Sequence, residues 1–339
     1  MNRRHVIALA VVGALTLASC SGSVRLSGAV EGQAPPSTTV VTPAAPVCTA
    51  EQAALDATRS YEPQGPLPTP GDMPDGSTMA TIKKRGKLIV GVSGDTLLFG
   101  ARNALTNQIE GFDIDMLKEV AKAIFGPGGE SQITYKVITY ADRLPNLEAG
   151  PDNGGVDIVA HTMTINCNRW LRIAFSSEYF DAGQRVLVKK DSGFDSIKAL
   201  NAASATVCAP EGSTNIDLLR DPKNADLYGQ LVVLAKPDVT DCLVAMQQGE
   251  ADGATGDDTV LAGLKAQDPN TEVVGKKFTR EPYGLGMAKD KVDFVRFVNG
   301  VLEEMRTNGR WQEIYSEWLI GVLSDTVIDP PKAIYGRDG

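Results

Sequence analysis

Histidine is nearly absent: the 339 residues hold two, His5 and His161. His5 falls in an N-terminal run treated below, which leaves one imidazole for proton transfer, and a lone histidine is more often a packing or hydrogen-bonding residue than a catalyst. Glu178 and Asp181 could be imagined as an acid–base pair, but their setting reads as a strand entrance. The five cysteines include no C-x-x-C pair, which removes the redox motif and the zinc knuckle. Basic residues number 33 against 42 acidic ones, cluster no further than Lys83-Lys84-Arg85-Gly-Lys87 and leave a net charge of −9. Neither nucleic acid nor an anionic lipid surface is therefore the expected partner. The apolar run from Val6 to Ala18 falls short of the ~20 residues a membrane-spanning helix needs. No cofactor and no metal are expected.

What is present begins with that run. It starts with Met1-Asn-Arg-Arg-His5 and ends in Leu17-Ala-Ser-Cys20, the pattern of a secretory leader. The last four residues resemble a bacterial lipobox, in which cleavage leaves Cys20 as a lipidated N-terminus; the alternative is an ordinary leader with a chance cysteine. Residues 20–77 are rich in Pro, Gly, Ser, Thr and Ala, with prolines recurring from Pro35 to Pro74. They read as an extended tether, with a short helix near 50–59. With Cys20 lipidated, Cys48, Cys167, Cys208 and Cys242 remain. An even set in an exported chain suggests two disulfides. Cys208–Cys242 with Cys48–Cys167 is the favoured pairing, and the sequence leaves the connectivity open.

From Thr78 onward strands and helices alternate. About 245 residues exceed one ordinary core, so two lobes are expected. Lys87–Val92 is a buried strand. Residues 111–126 form a helix with Phe112, Met116, Leu117, Val120, Ala121 and Ile124 on one face, capped by Asp113 and stopped by Gly126-Pro127. Strands at 133–138 and 156–160 flank a short helix at 140–149. A second set follows: strands at 206–209, 231–235 and 251–255, with helices after Gly212-Ser-Thr214 and from Thr240 to Gly249. This order implies an α/β fold with parallel sheets covered on both faces. Residues 185–189 and 283–288 are read as the crossings between lobes. Helices at 293–308 and 311–319 return to the first lobe, where Trp311, Ile314, Tyr315 and Trp318 read as core anchors.

Three segments carry a resemblance: Gly111-Phe-Asp-Ile-Asp, the run from Asp157 to Arg169, and Gly249-Glu-Ala-Asp-Gly-Ala-Thr-Gly-Asp257. In this order and spacing they resemble the polar-amino-acid class of extracellular solute-binding proteins, over about 78–319. Ser77-Thr-Met-Ala, Thr240-Asp-Cys-Leu-Val, Gln247-Gln-Gly and Glu281-Pro-Tyr-Gly look closer still to actinobacterial glutamate/glutamine-binding lipoproteins. The resemblance implies a two-lobe, type II periplasmic-binding-protein-like fold, with two hinge strands and a ligand cleft between the lobes. Its divisions would be a signal peptide at 1–19, the tether at 20–77, lobe one at 78–186 and 288–325, lobe two at 187–287 and a tail at 326–339.

A free amino acid carries a carboxylate and an ammonium, and both need partners once out of water. Arg169 follows the third strand, at the sheet edge where open α/β folds place ligands, and a guanidinium there can grip a carboxylate with two parallel hydrogen bonds. The resemblance gives Arg169 that role, supported by Thr162 and Thr164, and gives Asp257 the α-ammonium. Ser213 and Thr214 would face the carboxylate from lobe two, with Asp258 a helix cap. Tyr140 would wall the pocket. Arg143, in Arg-Leu-Pro-Asn-Leu, matches an arginine of acidic-amino-acid binders. Three positions depart from the pattern: Thr96 replaces an aromatic, Asn166 a threonine, and Ser93 an arginine found in some acidic binders.

The function implied is a lipid-anchored extracytoplasmic receptor for a polar amino acid, glutamate or aspartate before glutamine or asparagine, serving an ABC importer as a monomer. The alternatives are a receptor signalling to a membrane sensor protein, a dehydratase-type enzyme on the same fold, and a structural envelope lipoprotein.

Overall fold

The computed structural model describes residues 48–49, 52, 56–323 and 326–338. The leader, Cys20 and the tether through residue 47 lie outside the described residues, as do 50–51 and 53–55 of the short helix expected near 50–59; Gln52 is helical, but 56–59 run through a turn into a strand.

The first lobe follows β1 (Arg59–Ser60) and α1 (Thr78–Arg85) with β2 (Leu88–Val92), the small strands β3 (Asp95–Thr96), β4 (Gly100–Arg102) and β5 (Ile109–Glu110), and helix α2 (Phe112–Phe125). It continues through β6 (Ile133–Val137), α3 (Arg143–Ala149), β7 (Ile158–Ala160), α4 (Cys167–Trp170) and β8 (Ile173–Phe175). Strand β9 (Phe180–Ala182) leads out to β10 (Gln184–Lys189), α5 (Ile197–Ala202), β11 (Thr206–Pro210), α6 (Thr214–Arg220), β12 (Val232–Lys236), α7 (Val239–Gln248), β13 (Gly253–Asp257), α8 (Asp258–Gln267) and β14 (Thr271–Val274). Strand β15 (Glu281–Tyr283) returns to β16 (Gly286–Ala288), α9 (Val292–Asn308), α10 (Arg310–Trp318) and β17 (Ile334–Tyr335).

The two main sheets have strand orders β6-β2-β7-β16-β8 and β12-β11-β13-β10-β14. Each keeps the expected parallel trio, β6-β2-β7 and β12-β11-β13. To each trio the structure adds antiparallel strands, so the sheets are mixed. The crossings are β9 and β15, which pair antiparallel with Ala182 opposite Glu281 and Phe180 opposite Tyr283. Both therefore lie a few residues earlier than the sequence reading placed them. From Gln184 the chain is already hydrogen-bonded into the second sheet, and Gly286 into the first.

Local sequence explains the helix boundaries. Gly111 precedes α2 with φ +136°, and a Cβ there would lie 2.3 Å from the Phe99 carbonyl oxygen, so glycine alone fits. Asp113 lies inside α2 and does not cap it; its carboxylate serves the site. Likewise α7 is capped by Asp238 in a reciprocal box with Asp241, and not by Thr240. Asp257 precedes α8, and Asp258 in its first turn accepts from the Gly183 amide at 3.0 Å.

The first-lobe core is one continuous cluster in which α2, α9 and α10 cover the sheet. Trp311, Ile314 and Tyr315 are buried in it, and Trp311 Nε1 donates to the Tyr179 carbonyl at 2.8 Å. The second lobe has a cluster on each side of its sheet. Tyr140, a first-lobe residue, packs into one of them.

The stretch 56–77 was expected to be unpacked tether. It lies instead against the first lobe, with Thr58, Ser60 and Met73 buried. Strand β1 pairs in parallel with β17 of the C-terminal tail, the Ser60 hydroxyl donates to the Phe175 carbonyl at 2.8 Å, and Asn299 Nδ2 donates to the Tyr61 carbonyl at 2.7 Å. Disulfides join Cys48 to Cys167 and Cys208 to Cys242, with Cα separations of 6.1 and 5.5 Å. Among the described residues no helix is long and apolar enough to cross a membrane.

Candidate functional site

The first-lobe half is built where β7 ends. The chain turns at Thr162, whose φ of +41° is unusual for a threonine. The turn is pinned from behind: Asp113 accepts from the Thr162 amide at 2.8 Å through one carboxylate oxygen and from the Tyr179 hydroxyl at 2.6 Å through the other. Burial pushes the Asp113 carboxyl up to about 6, against the opposing pull of those two bonds. His161 beside it is buried, its Nε2 lies 3.2 Å from the Ile138 carbonyl oxygen, and its ring meets Tyr140 edge-on. Burial, then the Arg143 charge, pulls its pKa down to about 3, so it is a neutral packing residue.

Arg169 sits in the single turn of α4. Asn166 caps that turn by accepting from the Arg169 amide at 2.9 Å, which gives this departure from the family pattern a structural role. The guanidinium donates to the Thr164 carbonyl at 2.6 Å and, across the cleft, to the Gly212 carbonyl at 3.2 Å. Arg143, 1% exposed, donates to the carbonyls of Tyr140 at 2.9 Å, His161 at 3.1 Å and Gly212 at 2.9 Å. Burial, then the Arg169 charge, pulls Arg143 down to about 9. Two cations thus converge on one neutral oxygen, and neither has an ion pair with a carboxylate among the described residues.

The second-lobe half starts at Gly212, whose φ is +79°. A Cβ there would lie 2.8 Å from the Ala141 Cα, so this contact between lobes requires glycine. Ser213 caps α6: its hydroxyl donates to the Pro210 carbonyl at 2.7 Å and accepts from the Ile216 amide at 3.1 Å, which commits it to the fold. The Thr214 hydroxyl donates to Glu281 at 2.8 Å and lies 3.4 Å from that of Thr164. Asp257, 4% exposed, accepts from Asn215 Nδ2 at 2.8 Å and from the Tyr283 hydroxyl at 2.7 Å. Burial, then the neighbouring Glu281, pushes its carboxyl up to about 7. The Tyr140 hydroxyl lies 3.3 Å from that of Thr162.

The expected residues therefore gather at one junction, with Arg169, Arg143, Thr162, Thr164 and Tyr140 from the first lobe and Thr214 and Asp257 from the second. Glu281, Tyr283, Asn215 and Asp113 were not singled out as site residues. Glu281-Pro-Tyr-Gly was noticed as a motif, but the pairing of β15 with β9 is what brings both side chains to the cleft. Ser93 and Thr96 hydrogen-bond to each other at 2.9 Å. Glu178 and Asp181 are ion-paired to Arg280 at 2.7 and 3.0 Å, a structural arrangement at the crossing strands.

Residues 88–321 match the family model of bacterial extracellular solute-binding proteins, family 3. The chain belongs to that family. It is 36% identical over 242 residues to the ABC transporter glutamine-binding protein GlnH of Bacillus subtilis, covering 71% of this chain and 84% of the relative. It is 30% identical over 258 residues to the glutamate-binding protein GluB of Corynebacterium glutamicum, covering 73% and 83%. Among solved structures, an ancestral arginine-binding protein bound to arginine matches with a TM-score of 0.61 at 30% identity, over 69% of this chain and 99% of that one. The family-3 fold is the two-lobed type II periplasmic binding fold. The named relatives are binding proteins, and this family-3 chain is a binding protein rather than an enzyme.

Proposed function

We propose that the protein is an extracytoplasmic receptor for a dicarboxylic amino acid, glutamate or aspartate, held at the membrane by lipid on Cys20 and serving an ABC importer. The observation that carries the ligand class is the pair of buried guanidiniums, Arg143 and Arg169, hydrogen-bonded to neutral carbonyls only and facing the buried carboxylate of Asp257. A carboxylate is a stronger acceptor for a guanidinium than a carbonyl is. Arg169 would take the α-carboxylate beside Thr162, Thr164 and Thr214, and Asp257 the α-ammonium. Arg143 would take the side-chain carboxylate against the wall of Tyr140. With the anion partner on one lobe and the cation partner on the other, the ligand binds the closed form better than the open one, which is what drives closure. Thermodynamic preference for the closed form is then the signal an importer reads.

A glutamine reading has its own support. Glu281 is buried, held by the Thr214 and Thr279 hydroxyls, and placed to accept an amide N–H; the Bacillus relative is named for glutamine. Calorimetric titration of wild type and Arg143→Ala with glutamate, aspartate, glutamine and asparagine separates the two. If the second guanidinium reads a side-chain carboxylate, the substitution weakens glutamate at least about tenfold more than glutamine, the worth of one charge-assisted hydrogen bond. Equal losses would refute the role of Arg143 as the partner of a side-chain carboxylate. For the anchor, Cys20→Ala should release the protein from the membrane fraction.

A further inference from the structure

Helix α4 is one turn of four residues, Cys167 to Trp170, too short to hold its geometry unaided. Three of its four side chains point away from the cleft onto the N-terminal stretch and the C-terminal tail. Cys167 is disulfide-bonded to Cys48, and Asn168 Oδ1 accepts from the Cys48 amide at 2.9 Å. Trp170 Nε1 donates to the Ala57 carbonyl at 2.7 Å. Its ring lies 3.7 Å beneath the Arg337 guanidinium and meets Tyr61 edge-on. Arg337 is itself fixed, donating through Nε to the Arg59 carbonyl at 2.7 Å beside the β1–β17 pair. Only Arg169 faces the cleft.

The geometry points to a positioning role for this strap: we propose that Cys48–Cys167, Trp170 and Arg337 hold α4 in register, and that amino-acid affinity depends on them through Arg169. The inference rests on the reading of Arg169 as the α-carboxylate partner. Arg169 must present a planar fork to a carboxylate, and a shift of about 1 Å in such a group is costly. Asn166 caps α4 from within the same lobe and Trp170 meets Phe175 edge-on, while the covalent bond and the stacked cation on the far side of the turn come from the strap. The strap clamps that side by a covalent bond, a buried-ring hydrogen bond and a cation stacked on the indole. It also links the site to the stretch that follows the proposed lipid anchor at Cys20.

Cys48→Ser/Cys167→Ser and, separately, Arg337→Ala test this, the second keeping both disulfides should the first fail to fold. Two readouts are taken on each: affinity for glutamate and glutamine, and the 15N order parameter of the Arg169 Nε–H, assigned with Arg169→Lys. The expected result is about tenfold weaker binding for the double variant, equivalent to one charge-assisted hydrogen bond. It is accompanied by a lower order parameter at Arg169 and an unchanged one at Arg143. Arg337→Ala should show the same pattern at smaller size. Wild-type affinity in both variants, or weaker binding with Arg169 as ordered as in wild type, overturns the proposal. Loss of all binding in Arg169→Lys and none in the strap variants would leave the carboxylate reading standing and sink the strap. Wild type that binds neither amino acid would instead sink the reading beneath it.

Discussion

At Asp257 the surroundings oppose the ionised form: burial and Glu281 raise its carboxyl to about 7, although Asn215 and Tyr283 donate to it. An ammonium ligand pairs with the ionised form, so below about pH 7 binding must release a proton and affinity falls as pH drops toward 5. The sign for stability is the reverse. Asp257 and Asp113 have folded values, about 7 and about 6, above the ordinary aspartate value of 3.8. Their contribution is fully present below that lower value and is lost as pH rises through 6 to 7. Asp257→Asn should therefore weaken amino-acid binding, flatten its pH dependence between 5 and 8, and raise the thermal midpoint of the unliganded protein at pH 8. A pH profile of binding as steep as that of wild type would remove Asp257 from the ammonium site. Arg169 and Asp257 were legible as residues because their chemistry and family spacing are carried in the sequence. Asp113 was misread as a helix cap, because its true partners, the Thr162 amide and the Tyr179 hydroxyl, are brought to it only by tertiary folding.

Among elements, regular periodicity was read well and short pairings poorly. Helix α2 announced its buried face through Phe112, Met116, Leu117, Val120, Ala121 and Ile124, and the structure buries all six. The crossings were set too late because β9 runs into β10, and β15 into β16, with only Gly183 and Gly284-Leu285 between. Alternating apolar residues mark no boundary there. The packed stretch 56–77 was hidden by its prolines, and its two-residue strand has no period and pairs with a partner near the other end of the chain. The loop before α6 gives a prediction at this scale. Gly212→Ala would press a methyl against Ala141 and strain a left-handed backbone while leaving every charged side chain in place. It should disfavour closure and weaken all amino-acid ligands alike, without changing their ranking. Unaltered affinity in a calorimetric titration would show that this loop yields at no cost to closure.

For the whole molecule, the lobes are also joined by contacts away from the charged site. The Thr240 amide at the start of α7 donates to Asp95 at 3.0 Å. Gly263 in α8 approaches the Leu97 carbonyl so closely that a Cβ would lie 2.6 Å away. On the proposed closure mechanism these contacts and the ligand stabilise the same state. In the proposed mechanism a zwitterionic amino acid bridges Arg169 on one lobe and Asp257 on the other. Titration of wild type and Arg169→Ala with the twenty amino acids, followed by calorimetry, tests it most directly. Saturable binding of glutamate or a near relative to wild type is expected, with its loss in Arg169→Ala and the thermal midpoint preserved. Binding of equal strength to both proteins, or to neither, would contradict it.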